Sequence, residues 1–179
     1  MNFTKISWVL RSISYKIIFR KIGFPSYIGK PIYVSNWKNI VIGPRFRIYP
    51  GLRAEVVDRN SFLKIGKNVS IGQNFHIVSY NNELKIGDNV TIAGNVFITN
   101  CDHDYQGIHK SVLENKLISK KTTISDDCFI GNNAVILSGT SLGRGCVVGA
   151  GAVLKGEYPP YSVIVGVPGR VIKMYKKKG

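Results

Sequence analysis

The feature that most constrains this chain is a six-residue repeat of aliphatic residues, which begins at Ile42. The position four residues after each repeat leader is often compact, as at Val69 and Ala134. An amphipathic helix repeats about every 3.6 residues and a half-buried strand about every 2, so a period of six fits neither alone. It predicts an all-β solenoid in which short strands, joined by tight turns with glycine at the corners, stack in parallel. The leaders are Ile42, Ile48, Ile65, Ile71, Ile77, Ile86, Ile92, Ile98, Ile124, Ile130, Ile136, Leu142, Val148 and Leu154.

After Ile65 the repeat is interrupted twice. Ile86 follows Ile77 at a spacing of nine positions instead of six, so the stretch SYNNELK contains a three-residue insertion. Twenty-six residues separate Ile98 from Ile124, so the loop 100–122 leaves the solenoid. This loop begins with NCDHDYQGIHK, which holds two of the three histidines of the chain. Long excursions from a rigid scaffold are usually functional, so we expect the loop to carry the chemistry.

The net charge of +15 is concentrated at the two ends of the chain. Residues 1–54 hold ten Lys or Arg and no acid, residues 158–179 hold five and no acid, and the stretch between them is neutral. A nucleic-acid binder usually spreads its basic footprint over a folded face, so no nucleic-acid partner is expected. The three cysteines form no CxxC pair, which argues against a disulfide scaffold or a zinc knuckle and favours a reducing, cytoplasmic location.

The length fits one domain with basic extensions at both ends. We assign residues 1–25 to a basic amphipathic segment, 26–169 to the solenoid and 170–179 to a basic tail. Phe3, Ile6, Leu10, Ile13 and Ile17 recur every three to four residues, which predicts a helix within residues 3–22. Its uncharged runs are too short for a secretory signal or a membrane span. Two interpretations stay open: a cap on the solenoid, or an interfacial helix that brings residues 1–22 to the inner face of an anionic membrane.

The stretch from Ile124 to Lys173 reads ISDDCFIGNNAVILSGTSLGRGCVVGAGAVLKGEYPPYSVIVGVPGRVIK. Together with the histidine loop before it, this stretch resembles the hexapeptide-repeat acyltransferases. The likeness is to the galactoside and maltose O-acetyltransferases and to bacterial O-acetyltransferases of surface polysaccharides, and it covers roughly residues 30–173. It implies a left-handed parallel β-helix, a homotrimer, acetyl-CoA as donor and no metal.

The resemblance also implies site residues. His103 in NVFITNCDH matches the catalytic histidine of the family, and Asn81 falls near a polar residue that contacts the acceptor. Two residues depart from the pattern: Phe129 stands where the family often has Trp, and Gly169 where Ala or Cys is usual. The positions that match the lining of the family's coenzyme A channel are Phe129, Asn132, Ala150, Arg170 and Lys173.

Acetyl transfer from a thioester to an alcohol needs a base for the hydroxyl proton, and histidine titrates nearest to neutral pH. Asp102 and Asp104 flank His103, and either one, or a backbone carbonyl, could orient its imidazole. His76 follows a compact position, so it should face outward, where it could line an acceptor cleft. Cys101 invites a covalent mechanism, but acetyl-CoA is already a thioester, so we expect Cys101 to pack rather than react.

The sequence therefore predicts a cytoplasmic, trimeric, acetyl-CoA-dependent O-acetyltransferase. The predicted acceptor is a carbohydrate hydroxyl of a bacterial surface polysaccharide, such as O-antigen or capsule, or of its precursor. The main alternative is N-acetylation of a nucleotide-linked amino sugar. Two other classes stay open: a γ-carbonic-anhydrase-like metal enzyme that uses His76, His103 and His109, and a non-catalytic solenoid used for assembly.

Overall fold

Three parallel sheets form the faces of a triangular prism in the computed structural model, which describes residues 3–105 and 111–176. The chain winds through six complete coils and a partial seventh as a left-handed parallel β-helix, as expected. Sheet A contains β1 Lys21–Ile22, β4 Ile40–Ile42, β7 Phe62–Ile65, β10 Glu83–Ile86, β15 Thr123–Ile124, β18 Ser141–Leu142 and β21 Glu157–Tyr158. Sheet B contains β2 Tyr27–Ile28, β5 Arg47–Ile48, β8 Ser70–Ile71, β11 Thr91–Ile92, β16 Phe129–Ile130, β19 Val147–Val148, β22 Ser162–Val165 and β23 Arg170–Met174. Sheet C contains β3 Tyr33–Val34, β6 Arg53–Val56, β9 His76–Ser79, β12 Phe97–Thr99, β17 Val135–Ile136 and β20 Val153–Leu154.

The repeat leaders form the core because successive side chains of a strand point to opposite faces. Ile42, Ile65 and Ile86 are in register in sheet A, and each is buried. Burial of one such side chain contributes about 1.5–3 kcal/mol, and the contribution recurs on every face of every coil. Cys128 and Cys146 lie in the compact positions and are buried.

Asparagine and aspartate supply more of the left-handed corner residues than the expected glycine does. At the corner between sheets A and B, Asn68, Asn89 and Asp127 have φ values of 55°, 56° and 60°. Their side chains form a ladder along the prism, with Asn68 Nδ2 donating to Asn89 Oδ1 at 3.0 Å and Asn89 Nδ2 to Asp127 Oδ1 at 3.0 Å. Short polar side chains tolerate this conformation, and here they also hydrogen-bond to the next coil.

The N-terminal helix α1, Phe3–Ser14, is shorter than the predicted segment and closes one end of the prism. The hydroxyls of Ser12 and Ser14 bond back to Val9 and Arg11 carbonyls, which competes with helix propagation. A 3₁₀ turn, Tyr15–Ile17, follows, and Phe19 is then buried in the end of the core. A second 3₁₀ turn, Trp37–Asn39, packs beside it. Within the described residues, no helix has the length and apolar character that crossing a membrane requires.

The other end of the prism is closed by a strand that reverses direction. β23 pairs antiparallel with β22, with Val165 opposite Arg170 and Val163 opposite Lys173. Residues 170–174, which we had assigned to the basic tail, therefore form the last strand of sheet B. Arg170 and Lys173 are both exposed on it.

Candidate functional site

Both interruptions of the repeat fall at one corner of the prism, between sheets C and A. The insertion connects β9 to β10, and the loop 100–122 connects β12 to β15. The loop contains an antiparallel hairpin of β13 Cys101–His103 and β14 Leu117–Ser119, with a 3₁₀ turn, Val112–Glu114, between them. We call this edge of the prism, formed by residues 80–82 and 100–122, the hairpin corner.

A buried amide ties the base of the hairpin to the insertion one coil away. Asn100 is fully buried, and its Oδ1 accepts from the backbone N–H of Tyr80 at 2.7 Å. Its Nδ2 donates to Asn82 Oδ1 at 2.7 Å and to the Tyr80 carbonyl at 3.2 Å. Ser119, on the returning strand, donates to the same Tyr80 carbonyl at 2.8 Å and accepts from Asn82 Nδ2 at 2.5 Å. Sequence reasoning missed these residues, although Asn100 is the first residue after the repeat stops.

His103 is the last residue of β13, lies opposite Leu117 and is exposed. Among residues 3–105 and 111–176, no hydrogen-bond partner of its imidazole is found. Asp102 approaches Lys155 instead, with Oδ2 and Nζ 3.9 Å apart. The main chain of Asp104 holds the hairpin, since its N–H donates to Lys116 at 3.0 Å and its carbonyl accepts from Asn115 at 2.7 Å. An orienting role for Asp102 or Asp104 stays a prediction.

The thiol beside His103 is poorly suited to act as a nucleophile. Cys101 is half-buried, and desolvation raises the pKa of its thiol above the ordinary value, although the hydrogen bond between the thiol and the Thr99 hydroxyl opposes this. A thiol with a raised pKa carries little thiolate at neutral pH, and the thiolate is the reactive form.

His76 lies on the outer face of sheet C, as the repeat predicted, and it has a carboxylate partner. His76 Nε2 and Glu55 Oε1 are 2.8 Å apart, and Arg53 Nε donates to the same oxygen at 2.7 Å. Burial raises the pKa of Glu55, but the hydrogen bonds from Arg53 and His76 outweigh it, so this pKa lies below its usual value. The ring of Phe97 lies beside the imidazole, with centroids 4.8 Å apart.

Asn81 is placed apart from this network. Asn81 is exposed at the hairpin corner with φ of 53°, and its N–H donates to Ser61 Oγ at 2.9 Å. His109 lies outside the described residues. Within those residues, no group of three His, Cys, Asp or Glu side chains is placed to hold a metal ion.

The residues predicted to bind the donor lie on and beside the corner between sheets B and C. Asn132 and Ala150 occupy equivalent positions in successive coils, and the Asn132 carbonyl accepts from Gly151 at 2.8 Å. The coils touch tightly here, since a Cβ on Gly131 would lie 2.6 Å from the Ala150 nitrogen. Arg170 stands opposite Val165 near this corner. Phe129 and Lys173 share one outward column on sheet B.

His103 and the donor candidates therefore lie at different edges of the prism. The hairpin leaves at the C–A edge, and Asn132 and Ala150 lie at the B–C edge, so the whole width of sheet C separates them. At about 3.3 Å per residue, four to five residues of strand span roughly 15 Å. A single copy does not bring the predicted base and the predicted donor site together.

Comparisons with known proteins identify the repeat and place the chain among acetyltransferases. A family model described as bacterial transferase hexapeptide (six repeats) matches residues 121–156, and one described as hexapeptide repeat of succinyl-transferase matches residues 63–100. The chain is 33% identical over 154 residues to a putative lipopolysaccharide biosynthesis O-acetyl transferase, WbbJ, of Escherichia coli strain K12, which covers 81% of this chain and 76% of that protein.

Two further relatives are matched over a smaller share of their own length. The chain is 30% identical over 159 residues to the galactoside O-acetyltransferase of Escherichia coli strain K12, covering 88% of this chain and 65% of that protein. It is 38% identical over 77 residues to the probable acetyltransferase Rv3034c of Mycobacterium tuberculosis, covering 43% of this chain and 26% of that protein. The chain thus spans about a quarter of the mycobacterial relative.

The fold recurs in a solved enzyme structure. AntD, an N-acyltransferase from Bacillus cereus in complex with dTDP and 3-hydroxybutyryl-CoA, superposes with a TM-score of 0.78 at 22% sequence identity. The match covers 93% of this chain and 89% of that one. At this identity the likeness establishes the shared fold.

Proposed function

This chain belongs to the hexapeptide-repeat acyltransferases, and from that membership we propose that it transfers an acetyl group from acetyl-CoA to a carbohydrate hydroxyl, with His103 as the general base. The observation that carries the proposal is the hairpin: the chain interrupts a regular coil and uses a buried Asn100 to hold an exposed histidine outside it. The acceptor we propose is a bacterial surface polysaccharide or its precursor, in line with the name of the Escherichia coli relative WbbJ.

The proposed chemistry is direct transfer. The imidazole of His103 takes the proton of the acceptor hydroxyl while that oxygen attacks the thioester carbonyl. The tetrahedral oxyanion then collapses, the carbon–sulfur bond breaks, and the proton passes from the imidazolium to the departing thiolate of coenzyme A. Backbone N–H groups of the glycine-rich turns could stabilise the oxyanion. No acetyl-cysteine forms, which is consistent with the raised pKa of Cys101.

The donor site we propose runs along the corner between sheets B and C, which we call the donor corner. Acetyl-CoA is elongated, with phosphates at one end and an amide-containing arm at the other. Arg170 and Lys173, exposed on the last strand, suit the phosphates by charge. Asn132 offers an amide to the arm, and the small side chain of Ala150 leaves room for close approach. Phe129, which is 45% exposed, offers an apolar surface beside them.

We propose that the working enzyme is a homotrimer, because the predicted base and the predicted donor site lie at opposite edges of sheet C. In a three-fold ring, the hairpin corner of one copy meets the donor corner of the next when all three sheets C face the axis or all face away from it. Facing away would bury the column of Lys21, Lys64 and Lys85 on sheet A. Buried charges without partners are costly, so this arrangement is disfavoured.

The outer face of sheet C suits the position near the axis. Phe97, Val135 and Val153 form one outward column there. Among the charged residues of this face, Arg53 and Glu55 form an ion pair with each other in the network with His76. The arrangement therefore exposes the lysines of sheet A to water and joins the apolar column to its copies.

Mixing inactive copies tests the shared site. We would co-express a His103→Ala chain with an Arg170→Glu chain, each carrying a different affinity tag, and isolate the mixed trimers. At an acetyl-CoA concentration well below the KM of the Arg170→Glu chain, each single variant should have little activity, whereas mixed trimers should regain activity because one interface joins an intact hairpin to an intact donor corner. Mixed trimers that stay as inactive as their parents would contradict the shared site and leave the acetyltransferase assignment standing.

N-acetylation of a nucleotide-linked amino sugar remains the second candidate, supported by the fold shared with an N-acyltransferase crystallised with dTDP. The two are separated by incubating the protein with acetyl-CoA and either hydroxyl sugars or amino-sugar nucleotides, while thiol release is followed. The product is then treated with mild alkali, which cleaves an ester and leaves an amide. An alkali-stable product formed only from the amino sugar would overturn O-acetylation.

We place this reaction in the cytoplasm, where the three free cysteines stay reduced. A precursor of a surface polysaccharide that is carried on a lipid would meet the enzyme at the inner face of the membrane. No nucleic-acid partner is proposed.

A further inference from the structure

The N-terminal helix uses only one of its sides to hold the prism. On that side Arg11 donates to the Ile28 carbonyl at 2.8 Å, Ser12 is buried, and Trp8 meets Tyr49 edge to face with centroids 5.3 Å apart. Tyr15 continues the contact against Trp37, with centroids also 5.3 Å apart. These contacts fix the orientation of the helix, and they do not use its opposite side.

The other side is an apolar stripe open to solvent. Ile6, Leu10, Ile13 and Ile17 follow one another at intervals of four, three and four residues, and they are 39%, 62%, 46% and 80% exposed. Phe24, which is 54% exposed, extends the surface, since Lys16 Nζ lies 5.1 Å from the centre of its ring. Contiguous exposed apolar residues rimmed by polar ones mark interaction sites.

The cations around this stripe belong to a stretch of sequence that contains no acidic residue. Lys5, Lys16, Arg20 and Lys21 are exposed, and the first acid of the chain is Glu55. Within residues 3–105 and 111–176, none of these four forms an ion pair. Their charge is therefore uncompensated, and it surrounds a surface that water solvates poorly.

We propose that the exposed side of α1, together with the chain that follows it to Phe24, docks on an anionic phospholipid bilayer. A helix with one apolar side and a basic rim lies in the interface, with its aliphatic side chains among the acyl chains and its cations at the headgroup phosphates. A second copy of this chain fits less well, because its own first 54 residues carry ten cations and no acid. The inference goes beyond the proposed reaction and does not depend on it.

Vesicle sedimentation tests the proposal on the full chain. We would mix the purified protein with phosphatidylcholine vesicles that contain or lack phosphatidylglycerol, at low and at high salt. The protein should pellet with the anionic vesicles at low salt, and raising the salt to about 1 M, where screening acts within about 3 Å, should release it. A protein that ignores anionic vesicles at low salt would overturn the proposal.

Paired variants separate the docking surface from general stickiness. Leu10→Ser with Ile17→Ser should lower vesicle partition at least tenfold, whereas Val167→Ser, at the opposite end of the prism and 70% exposed, should not. Lys5→Gln with Lys16→Gln should also lower it, and Lys64→Gln with Lys85→Gln on sheet A serves as the matched control. Equal losses in variants and controls would count against a localised surface.

The oligomeric state distinguishes a membrane from a second copy. Light scattering should give the same mass for the wild type and for the Leu10→Ser, Ile17→Ser variant. If that variant dissociates, the stripe is buried between copies and the membrane proposal falls. Thiol release with a soluble acceptor, measured without vesicles, should be unchanged in the same variant, so a failure of docking would not be confused with a failure of the proposed reaction.

Discussion

The two corners that border sheet C were built in opposite ways. At the B–C corner each coil repeats the last, so Asn132 and Ala150 are equivalent and a Cβ on Gly131 would meet the next coil at 2.6 Å. At the hairpin corner the same coils diverge, because the spacing is eleven positions from Ala54 to Ile65, nine from Ile77 to Ile86 and twenty-six from Ile98 to Ile124. The relatives and the solved neighbour carry names that imply different acceptors, so the constant corner suits the proposed donor and the hairpin corner suits the acceptor.

The largest expected effect tests the hairpin corner. His103→Ala should lower the turnover number by about 10²- to 10⁴-fold, the usual contribution of a general base. Cys101→Ala, two residues away, should retain most activity because direct transfer does not use its thiol. Thiol release from acetyl-CoA measures both. An active His103→Ala variant, or an acetyl group trapped on Cys101, would show that a residue other than His103 carries the chemistry.

The next effect concerns the donor corner. Arg170→Glu should raise the KM for acetyl-CoA about 10- to 100-fold, since a hydrogen bond to a charged group contributes about 1.5–3 kcal/mol. The KM for the acceptor should change little. Lys64→Glu, on the outer face of sheet A, is the matched charge reversal and should alter neither constant. If Arg170→Glu raises the KM values for acetyl-CoA and for the acceptor equally, the donor corner does not bind acetyl-CoA specifically as proposed.

A smaller effect tests what holds the hairpin. Asn100→Leu leaves the Tyr80 N–H and the Asn82 Oδ1 atom without their partner, so the free energy of unfolding should fall by about 1–3 kcal/mol. Denaturant titration measures this change. Asn60→Leu, an exposed asparagine at the same corner, is the control and should be nearly neutral. If both variants are equally stable, the hairpin is held by its β-pairing alone.

The smallest effect concerns the face between the two corners. The pKa of Glu55 lies below its usual value of 4.5, so this carboxylate stabilises the fold above that value and loses its contribution as pH falls through the folded-state pKa. Glu55→Gln should therefore be less stable than the wild type at pH 7, by at most about 1 kcal/mol. The difference should vanish as the pH falls well below 4.5, and a difference that is constant with pH would contradict the ion-pair explanation.

The sequence predicted the coils well because their physics is local. One aliphatic leader per face and a compact residue at each corner determine which side chains are buried, and Ile65, Cys128 and Leu142 are buried accordingly. The corner conformations were predicted less well. Glycine was the expected left-handed residue, yet asparagine often replaces it because its amide bonds to the amide of the next coil, a contact between residues about twenty positions apart.

The site was predicted only in part for the same reason. The interruption at Ile98 revealed which loop carries His103, and the resemblance supplied its role as a hypothesis. The bond between Asn100 and Asn82 and the network of Arg53, Glu55 and His76 join residues from different coils. No spacing within one coil encodes such partners. The helix ends at Ser14 because serine hydroxyls bond to carbonyls of the same helix. The spacing of the apolar residues does not reveal these bonds.

The hairpin leaves and rejoins the coil at points that are hydrogen-bonded to each other, since the Lys120 N–H donates to the Asn100 carbonyl at 2.9 Å and Thr122 Oγ1 to the Thr99 carbonyl at 2.9 Å. These two bonds close the coil independently of the segment between residues 100 and 120. A single recombination event could exchange that segment as a cassette and leave every other coil undisturbed. New acceptor preferences could arise by replacement of this one segment rather than by gradual change across the prism.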